Sequence, residues 1–565
     1  MGENRPVVTG EVQQQRTEAD AWVPATPRRG PRPLDVLAVV AVLVPFCVVG
    51  VRYGLTGQLV GGGDQALIEL DLFDLGNLHQ GVGLYSRMGW AHPGPAWLVL
   101  MAPWYWLFGS SGAALVAASL LVHGLVAALV VVVAGHGARW HRPVAAAVVL
   151  LYVLRMPAVD FVGVWNPFAL LLPTMLVVLL AARACAGSLV AGAATLVVGS
   201  YLVQTHVGTV PLVGAVGLVA AVALLVRWRR HRLPDPGRAG RRGLVALGGL
   251  LLLVWVPPVV QQLTADGTGN LRLLAGGLLA GEPGAPSPTW ADTVSTTGQQ
   301  LGAAVFGWPA QPALVDATIL TPAVVAAVVV QLLGCAVVAV AGLRTGVPAA
   351  GWLAAVTGTA TVAGVVSVHS ITGLLLNYLV LWISVLPGLL LLAGIWLLGA
   401  WAVTPPPRVP TARWTAGRGP LLGSVAALSG ALATVVLAVG LTLSLQRGAE
   451  TMLGDQPGAA EAARLALDAL PAADGEDRRV LLDIRDVDTW TTATAVALEL
   501  EQAGYDVTVA DQWVYGFGVD RRADGAESWT VALQPLDPGA GELPNQVGAV
   551  TAQYGLVAVV VEPLP

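Results

Sequence analysis

Eleven separate apolar stretches, each near the length needed to cross a bilayer, set the terms for this chain. They run over about 35–53, 112–135, 143–159, 167–184, 188–204, 210–227, 243–263, 320–343, 348–368, 374–402 and 420–445. A hydrocarbon core about 30 Å thick takes roughly 20 residues of helix. Inside it every backbone group must be paired within the protein, so such runs commit the chain to a bundle of membrane helices. Composition agrees: 55% of residues are hydrophobic and only 12% charged, with a mean hydropathy of +0.70, where soluble domains carry about 25% charged residues. A soluble globular enzyme is excluded over most of the length, and so is disorder. The stretch 95–108 is apolar but short, and its Trp97, Trp104, Tyr105 and Trp106 suit the membrane interface. It is expected to be re-entrant or interfacial and not to span. The predicted fold class is a membrane all-α protein of about 11 transmembrane helices with a small extracytoplasmic α/β domain at the C-terminus.

Charge orients this scheme. The chain has no lysine, so all 30 basic residues are arginine. Residues 447–565 carry 7 Arg against 20 Asp and Glu, and residues 1–446 carry 23 against 15. A basic membrane part is joined to an acidic tail. With the N-terminus cytoplasmic, 19 of the 23 arginines fall in inner segments, and only Arg52, Arg87, Arg155 and Arg272 fall outside. Letting 95–108 span would turn the cationic 227–242 loop outward, against the positive-inside rule. That inner loop is the topology anchor, and it could also touch anionic lipid head groups. No nucleic-acid partner is expected. Nine of the ten acidic residues between 36 and 446 fall on the outer side: Asp64, Glu69, Asp71, Asp74, Asp160, Asp266, Glu282, Asp292 and Asp316. Either the outer loops are simply longer or polar chemistry occurs there.

Residues 1–34 read as a disordered cytoplasmic tail without the apolar core of a signal peptide. Residues 35–446 form the membrane domain, with long outer loops at 54–111 and 264–319. Residues 447–565 read as a soluble domain. In it a strand at 479–484, a helix at 489–503 and a strand at 505–509 make a β-α-β unit suited to a parallel crossover, and a strand pair at 528–533 and 555–561 completes the sheet. No glycine-rich phosphate turn follows the first strand. Cys47, Cys185 and Cys335 lie far apart in apolar segments and read as small core residues.

The first outer loop concentrates the chemistry. After Gly61–Gly63 comes Asp64, opening a helical pattern over 65–78 that it either caps or serves as a base. On a continuous helix Asp64 and Asp71 share nearly one face, Asp74 is offset by about one sixth of a turn, and Glu69 points elsewhere. Ser86, Arg87 and His92-Pro93-Gly94-Pro95 follow, the prolines fixing the start of the short apolar helix. A carboxylate at the outer membrane surface can take a proton from an acceptor hydroxyl. An arginine or histidine beside it can neutralise a departing phosphate, and an apolar helix offers a groove for a lipid chain.

Gly63-Asp64 early in this loop, followed by His92-Pro93 before an apolar helix, resembles the GT-C membrane glycosyltransferases of the RgtA-like and protein-mannosyltransferase-like group. That group typically has an Asp-Glu pair and a His-Pro-Pro turn. Here Gln65 stands at the Glu position, and the turn reads Pro93-Gly94-Pro95. The strings YSRMGWAHPGP (85–95), VWNPF (164–168) and QTHVG (204–208) are together similar to a subgroup of actinobacterial membrane proteins. The resemblance implies Asp64 as catalytic base and a polyprenyl-phosphate sugar as donor. It implies transfer to a glycan, lipid or protein acceptor at the outer face of the cell membrane. It also brings the junction holding Asp160, Trp165 and Asn166 toward the donor phosphate, although Asp160 could equally cap a helix end.

Other outer positions carry two readings. Gln204, Thr205 and His206 end a span, where polar groups are either functional or simply solvated. Arg272 could complement Arg87 around a phosphate or remain in solvent. His79, His92, His206 and His369 with the carboxylates could assemble a divalent cation site, though their spacing carries no signature. Two competing functions stand beside the transferase. A transporter or flippase would need ionisable groups near the bilayer midplane and broken helices in related halves, which this sequence lacks. A non-catalytic GT-C-like scaffold presenting the acidic domain is the reading that Gln65 motivates.

Overall fold

The computed structural model describes residues 32–564, apart from 58, 78–79, 87, 136–139, 266–267, 281–285, 308–319, 404–418, 455–457, 474–477, 538 and 540. Nearly all of the expected N-terminal tail, and the site candidate Arg87, lie outside the described residues. The first helix, Pro33–Thr56, starts on a proline already set to a helical φ.

Each apolar stretch is occupied by a helix. Among the described residues nine are long and apolar enough to cross a bilayer, and the chain is a multi-pass membrane protein. The stretches expected at 143–159 and 188–204 give shorter helices, His141–Arg155 and Leu189–Thr205. Pro157 disfavours helical backbone at Met156 and ends the first of these, and the chain resumes as the single turn Val159–Val162. The aromatic stretch forms the helix Ala96–Leu107, too short to span. The last membrane helix, Gly419–Gly454, has 36 residues and continues past the expected boundary at 446. At 1.5 Å per residue it measures about 54 Å, more than a bilayer crossing needs.

The bundle is layered by burial. Leu171–Cys185 is buried along almost its whole length and forms the axis, whereas Gly237–Thr264 is buried only at Pro258. Small residues set the closest approaches, as expected where lipid offers no hydrophobic drive between helices. A Cβ at Gly342 would stand 2.6 Å from the Gly351 backbone nitrogen, so Pro322–Arg344 and Pro348–His369 meet almost backbone to backbone. The segment 264–319 carries two helices, Asn270–Ala280 and Trp290–Phe306. Thr289 caps the latter in a reciprocal box with Asp292: the Thr289 hydroxyl accepts from the Asp292 N–H at 3.2 Å while the Asp292 carboxylate accepts from the Thr289 N–H at 2.9 Å.

The C-terminal unit is a five-stranded sheet: β1 Arg479–Ile484, β2 Asp506–Val509, β3 Trp529–Leu536, β4 Gln546–Ala552 and β5 Gly555–Pro563, in spatial order β2-β1-β3-β5-β4. β1 runs parallel to β2 and β3, and β5 pairs antiparallel with β3 and β4. Helix Trp490–Gln502 makes the expected crossover from β1 to β2. β4 is the strand the sequence pattern did not reveal, because its residues alternate weakly and are half exposed.

The two units meet on the helix Asp64–Gly76. Residues 65–70 and Leu72 are all buried. Ala66, Leu67 and Leu70 join the core of the sheet, with Val480 and Val496, while Ile68 and Leu72 join the core of the bundle. A helix that buries residues on every side is held in place by what encloses it. Arg521 of the sheet unit adds a bidentate pair to Asp74, at 2.8 and 2.9 Å, and reaches Glu501 at 2.9 Å.

Candidate functional site

Asp64 does not cap its helix. The N-cap is Gly63, at φ 58 and ψ −139, a backbone state that suits glycine. The Gly63 N–H donates to the Thr494 hydroxyl at 2.7 Å, so the sheet unit fixes the chain where the helix begins. The Asp64 carboxylate is thereby free of the cap and accepts instead from the Tyr85 hydroxyl. Burial raises its pKa above the ordinary carboxylate value, and the Tyr85 hydrogen bond partly offsets this.

Tyr85 and His92 come from one turn. Tyr85 bridges Ala91 in antiparallel fashion. The His92 N–H donates to the Leu84 carbonyl at 2.8 Å and the Gly83 N–H to the His92 carbonyl at 2.9 Å. Asn270, at the start of the helix Asn270–Ala280, holds this turn as a neighbouring strand would: its Oδ1 accepts from the Ala91 N–H at 2.9 Å and its Nδ2 donates to the Ala91 carbonyl at 3.0 Å. The departure at Gly94 has a steric cause. A Cβ there would stand 2.4 Å from the Gln204 carboxamide oxygen and 2.7 Å from Pro258, which leaves no room for a second proline ring.

His92 lies beside His206, ring centroids 4.6 Å apart. Nδ1 of His92 accepts from the Val207 N–H at 3.3 Å, and Nδ1 of His206 from the Gly208 N–H at 3.1 Å. Burial lowers both pKa values, that of His206 to about 4, and His206 pushes His92 down further. Two neutral imidazoles with occupied Nδ1 atoms each carry their proton on Nε2, as a hydrogen-bond donor. The long helix that follows begins at Val207, so its positive end adds to these donors.

These groups line one cavity of about 400 Å³. Asp64, Asp71, His92, Asn166 and His206, five of the sequence-predicted positions, share its wall, with Tyr85 and Trp165. Burial raises the Asp71 pKa well above the usual value. Asp74 adds to the rise and Arg521 opposes it. The rest of the wall is largely apolar, including Leu84, Met88, Val210, Ile371 and Leu379. Most ligand sites have this character, apolar walls with a few convergent polar groups.

Among the described residues, three other candidates lie outside this wall. Asp160 is fully buried in the turn Val159–Val162. Gln204 is fully buried behind Gly94, and its Nε2 donates to the Val254 carbonyl at 3.0 Å. Arg272 is exposed, and its backbone N–H bonds the Gln262 side chain at 3.1 Å. The distribution of polar residues along the chain did not separate span-end packing from cavity lining. His369 stacks on Trp290 with centroids 4.0 Å apart. His79 lies outside the described residues. Among the described residues no group of three His, Cys, Asp or Glu is placed to hold a metal ion. Tyr85 and Asn270 were not anticipated. A tyrosine and an asparagine in glycine-rich loops carry no local signal, and only the tertiary contacts identify them.

No protein-family model matches this chain, and neither does any curated protein. Solved structures do. The chain is similar to the crystal structure of ArnT from Cupriavidus metallidurans bound to undecaprenyl phosphate, with 16% identity and a TM-score of 0.51, over 93% of this chain and 97% of that one. The apo state of the same protein matches with the same values. The archaeal oligosaccharyltransferase AglB from Archaeoglobus fulgidus, in complex with an inhibitory peptide and a dolichol-phosphate, is similar at 13% identity and a TM-score of 0.39, over 87% of this chain and 69% of that one. At such identity the likeness to ArnT is one of fold. The chain has the GT-C fold that the Asp64 loop and the His92-Pro93 turn implied.

Proposed function

We propose that this protein is a glycosyltransferase that moves a sugar from a polyprenyl-phosphate carrier to a hydroxyl of a cell-envelope acceptor at the outer face of the cytoplasmic membrane. One observation carries the reading: the half-buried Asp64 carboxylate, held by Tyr85, shares a largely apolar cavity with the His92–His206 pair. ArnT, which has this fold, has a structure bound to undecaprenyl phosphate.

The chemistry follows from the groups present. Asp64 accepts the proton of the acceptor hydroxyl as that oxygen bonds to the sugar's anomeric carbon. The bond from that carbon to the phosphate oxygen breaks, and the polyprenyl phosphate leaves with the electron pair. The products are the glycosylated acceptor, the lipid phosphate and a proton that Asp64 returns to water. The two Nε2–H donors and the helix start at Val207 meet the growing phosphate charge with preorganised dipoles. The apolar wall suits the first isoprene units. In this reading the sheet unit is extracytoplasmic and the N-terminus cytoplasmic, as the arginine distribution supports.

The test is a transfer assay on the full chain in lipid nanodiscs, with a panel of undecaprenyl-phosphate-linked sugars, reading release of undecaprenyl phosphate. Wild type turns over at least one donor, and Asp64→Asn loses about 10³-fold in rate while remaining folded. An Asp64→Asn protein as active as wild type removes Asp64 from the mechanism. Donor binding without turnover in wild type favours the scaffold reading.

A further inference from the structure

Glu69, only 1% exposed, is the most deeply buried carboxyl group of the Asp64–Gly76 helix, and no step of the proposed transfer uses it. It lines neither the larger cavity nor a smaller one of about 250 Å³ that also holds Asp64. It stands instead at the seam between the bundle and the sheet unit. From the bundle, the Tyr105 hydroxyl donates to its Oε1 at 2.9 Å, while its Oε2 has no hydrogen-bond partner. From the sheet unit, the helix Trp490–Gln502 brings the like charge of Glu499, and Gln502 beside it. Gly112–Ala134 also packs against this helix but contains no Asp, Glu or Arg, and its His123 stacks on Trp97. On the Asp64–Gly76 helix itself, Asp64 is held by Tyr85, and Asp71 and Asp74 lie toward Arg521. Arg521 is engaged by Asp74 and Glu501, so it does not serve Glu69.

An ionised Glu69 is therefore a buried charge with one oxygen unsatisfied, a like charge opposite and no cation paired to it. Such a charge is costly, and a proton removes the cost. Burial pushes the Glu69 pKa from its ordinary 4.5 up to about 7; the Tyr105 hydrogen bond opposes the rise, Glu499 adds to it and Gln502 opposes it. Undocking the sheet unit admits water and takes Glu499 away, so the pKa falls back toward 4.5. The docked state thus holds a proton that the undocked state releases. That contribution to docking is complete below pH 4.5, declines as pH rises and is gone above about pH 7, with a steepest slope of about tenfold per pH unit.

We propose that Glu69 and Glu499 form a pH-sensitive latch between the two units: with Glu69 protonated the sheet unit is seated firmly on the bundle, and ionisation of Glu69 loosens it. The Gly63–Thr494 bond joins the same two helices, so the latch also governs how firmly the start of the Asp64 helix is held. In the proposed orientation it senses the pH outside the membrane. It operates whatever the larger cavity binds.

The experiment is hydrogen exchange of the full chain in lipid nanodiscs, read by mass spectrometry from about pH 5.5 to pH 8. Protection factors, which remove the intrinsic pH dependence of exchange, report the opening of each segment. In wild type the protection of Asp64–Gly76 and Trp490–Gln502 falls at least about tenfold across this range, while that of β3, inside the sheet unit, stays constant. Glu69→Gln, which keeps the shape of the protonated acid, changes less than about threefold and at pH 8 is at least about tenfold better protected at the seam than wild type. Glu499→Gln still responds to pH, with its midpoint moved to lower pH because the facing charge is gone. Seam protection in wild type that does not vary with pH overturns the inference, and so does a wild-type slope in Glu69→Gln. An unmoved midpoint in Glu499→Gln removes Glu499 from the latch and overturns the pair. A fall shared equally by β3 marks unfolding of the sheet unit instead of undocking, and it too overturns the inference.

Discussion

At the scale of single residues, the Asp64–Tyr85 pair decides the pH behaviour. A base works only when deprotonated, so transfer falls as pH drops through the Asp64 pKa. Burial lifts that value above 3.8, so the acid limb sits above the ordinary aspartate range. The Tyr85 hydrogen bond favours the charged form and holds the pKa down. Tyr85→Phe removes it, and the acid limb of kcat/KM should move to higher pH. A profile unchanged in Tyr85→Phe would show that Asp64 is not the titrating group. His92 and His206 should leave no limb between pH 6 and 8, because both are already neutral there. Much of this site was legible in the sequence. Asp64, His92, Asn166 and His206 are polar residues at the ends of apolar runs, where a side chain must be either solvated or put to use. Asp160 and Gln204 obey the same pattern and lie outside the wall, because the cost of burying a polar group is the same whether a neighbouring backbone or a ligand satisfies it.

At the scale of elements, the Asp64–Gly76 helix belongs to two cores at once. Its position depends on Arg521, which is itself buried between Asp74 and Glu501. Removing one partner from a buried ion pair leaves uncompensated charge and costs about 3 kcal/mol or more. Arg521→Met should therefore destabilise the docking of the sheet unit by about 3 kcal/mol and lower transfer activity, without touching either cavity. A double-mutant cycle with Asp74→Asn, read by chemical denaturation, checks it. Independent effects of the two substitutions would contradict the account. No local signal marks Arg521, since it precedes another arginine in an acidic, solvent-facing tail and its partner lies 447 positions away. The crossover β1–helix–β2, by contrast, was legible, because the strand and helix periods and Gly504 all agree. The choice between cap and base at Asp64 was not legible, because the Gly63–Thr494 bond at the start of the helix comes from the far end of the chain.

At the scale of the whole molecule, the apolar runs made the bundle legible, while their number as spans depends on breaks such as Pro157 that shorten individual helices. The proposed orientation rests on the arginines alone, and it carries its own prediction. Tyr554 sits in the β4–β5 turn and is well exposed. Tyr554→Cys should react with a membrane-impermeant maleimide added to intact cells, since Cys185 and Cys335 are buried and Cys47 lies within the first membrane helix. Labelling only after the cells are opened would put the sheet unit, and with it the site, on the cytoplasmic side. The central claim is that the larger cavity receives a lipid-linked phosphate beside Asp64. A cryo-EM reconstruction of the full chain in nanodiscs with undecaprenyl phosphate tests it most directly. The account predicts phosphate density about 3 Å from the Nε2 atoms of His92 and His206, with the isoprene chain along the apolar wall. Lipid phosphate bound elsewhere, with that cavity empty, would contradict it.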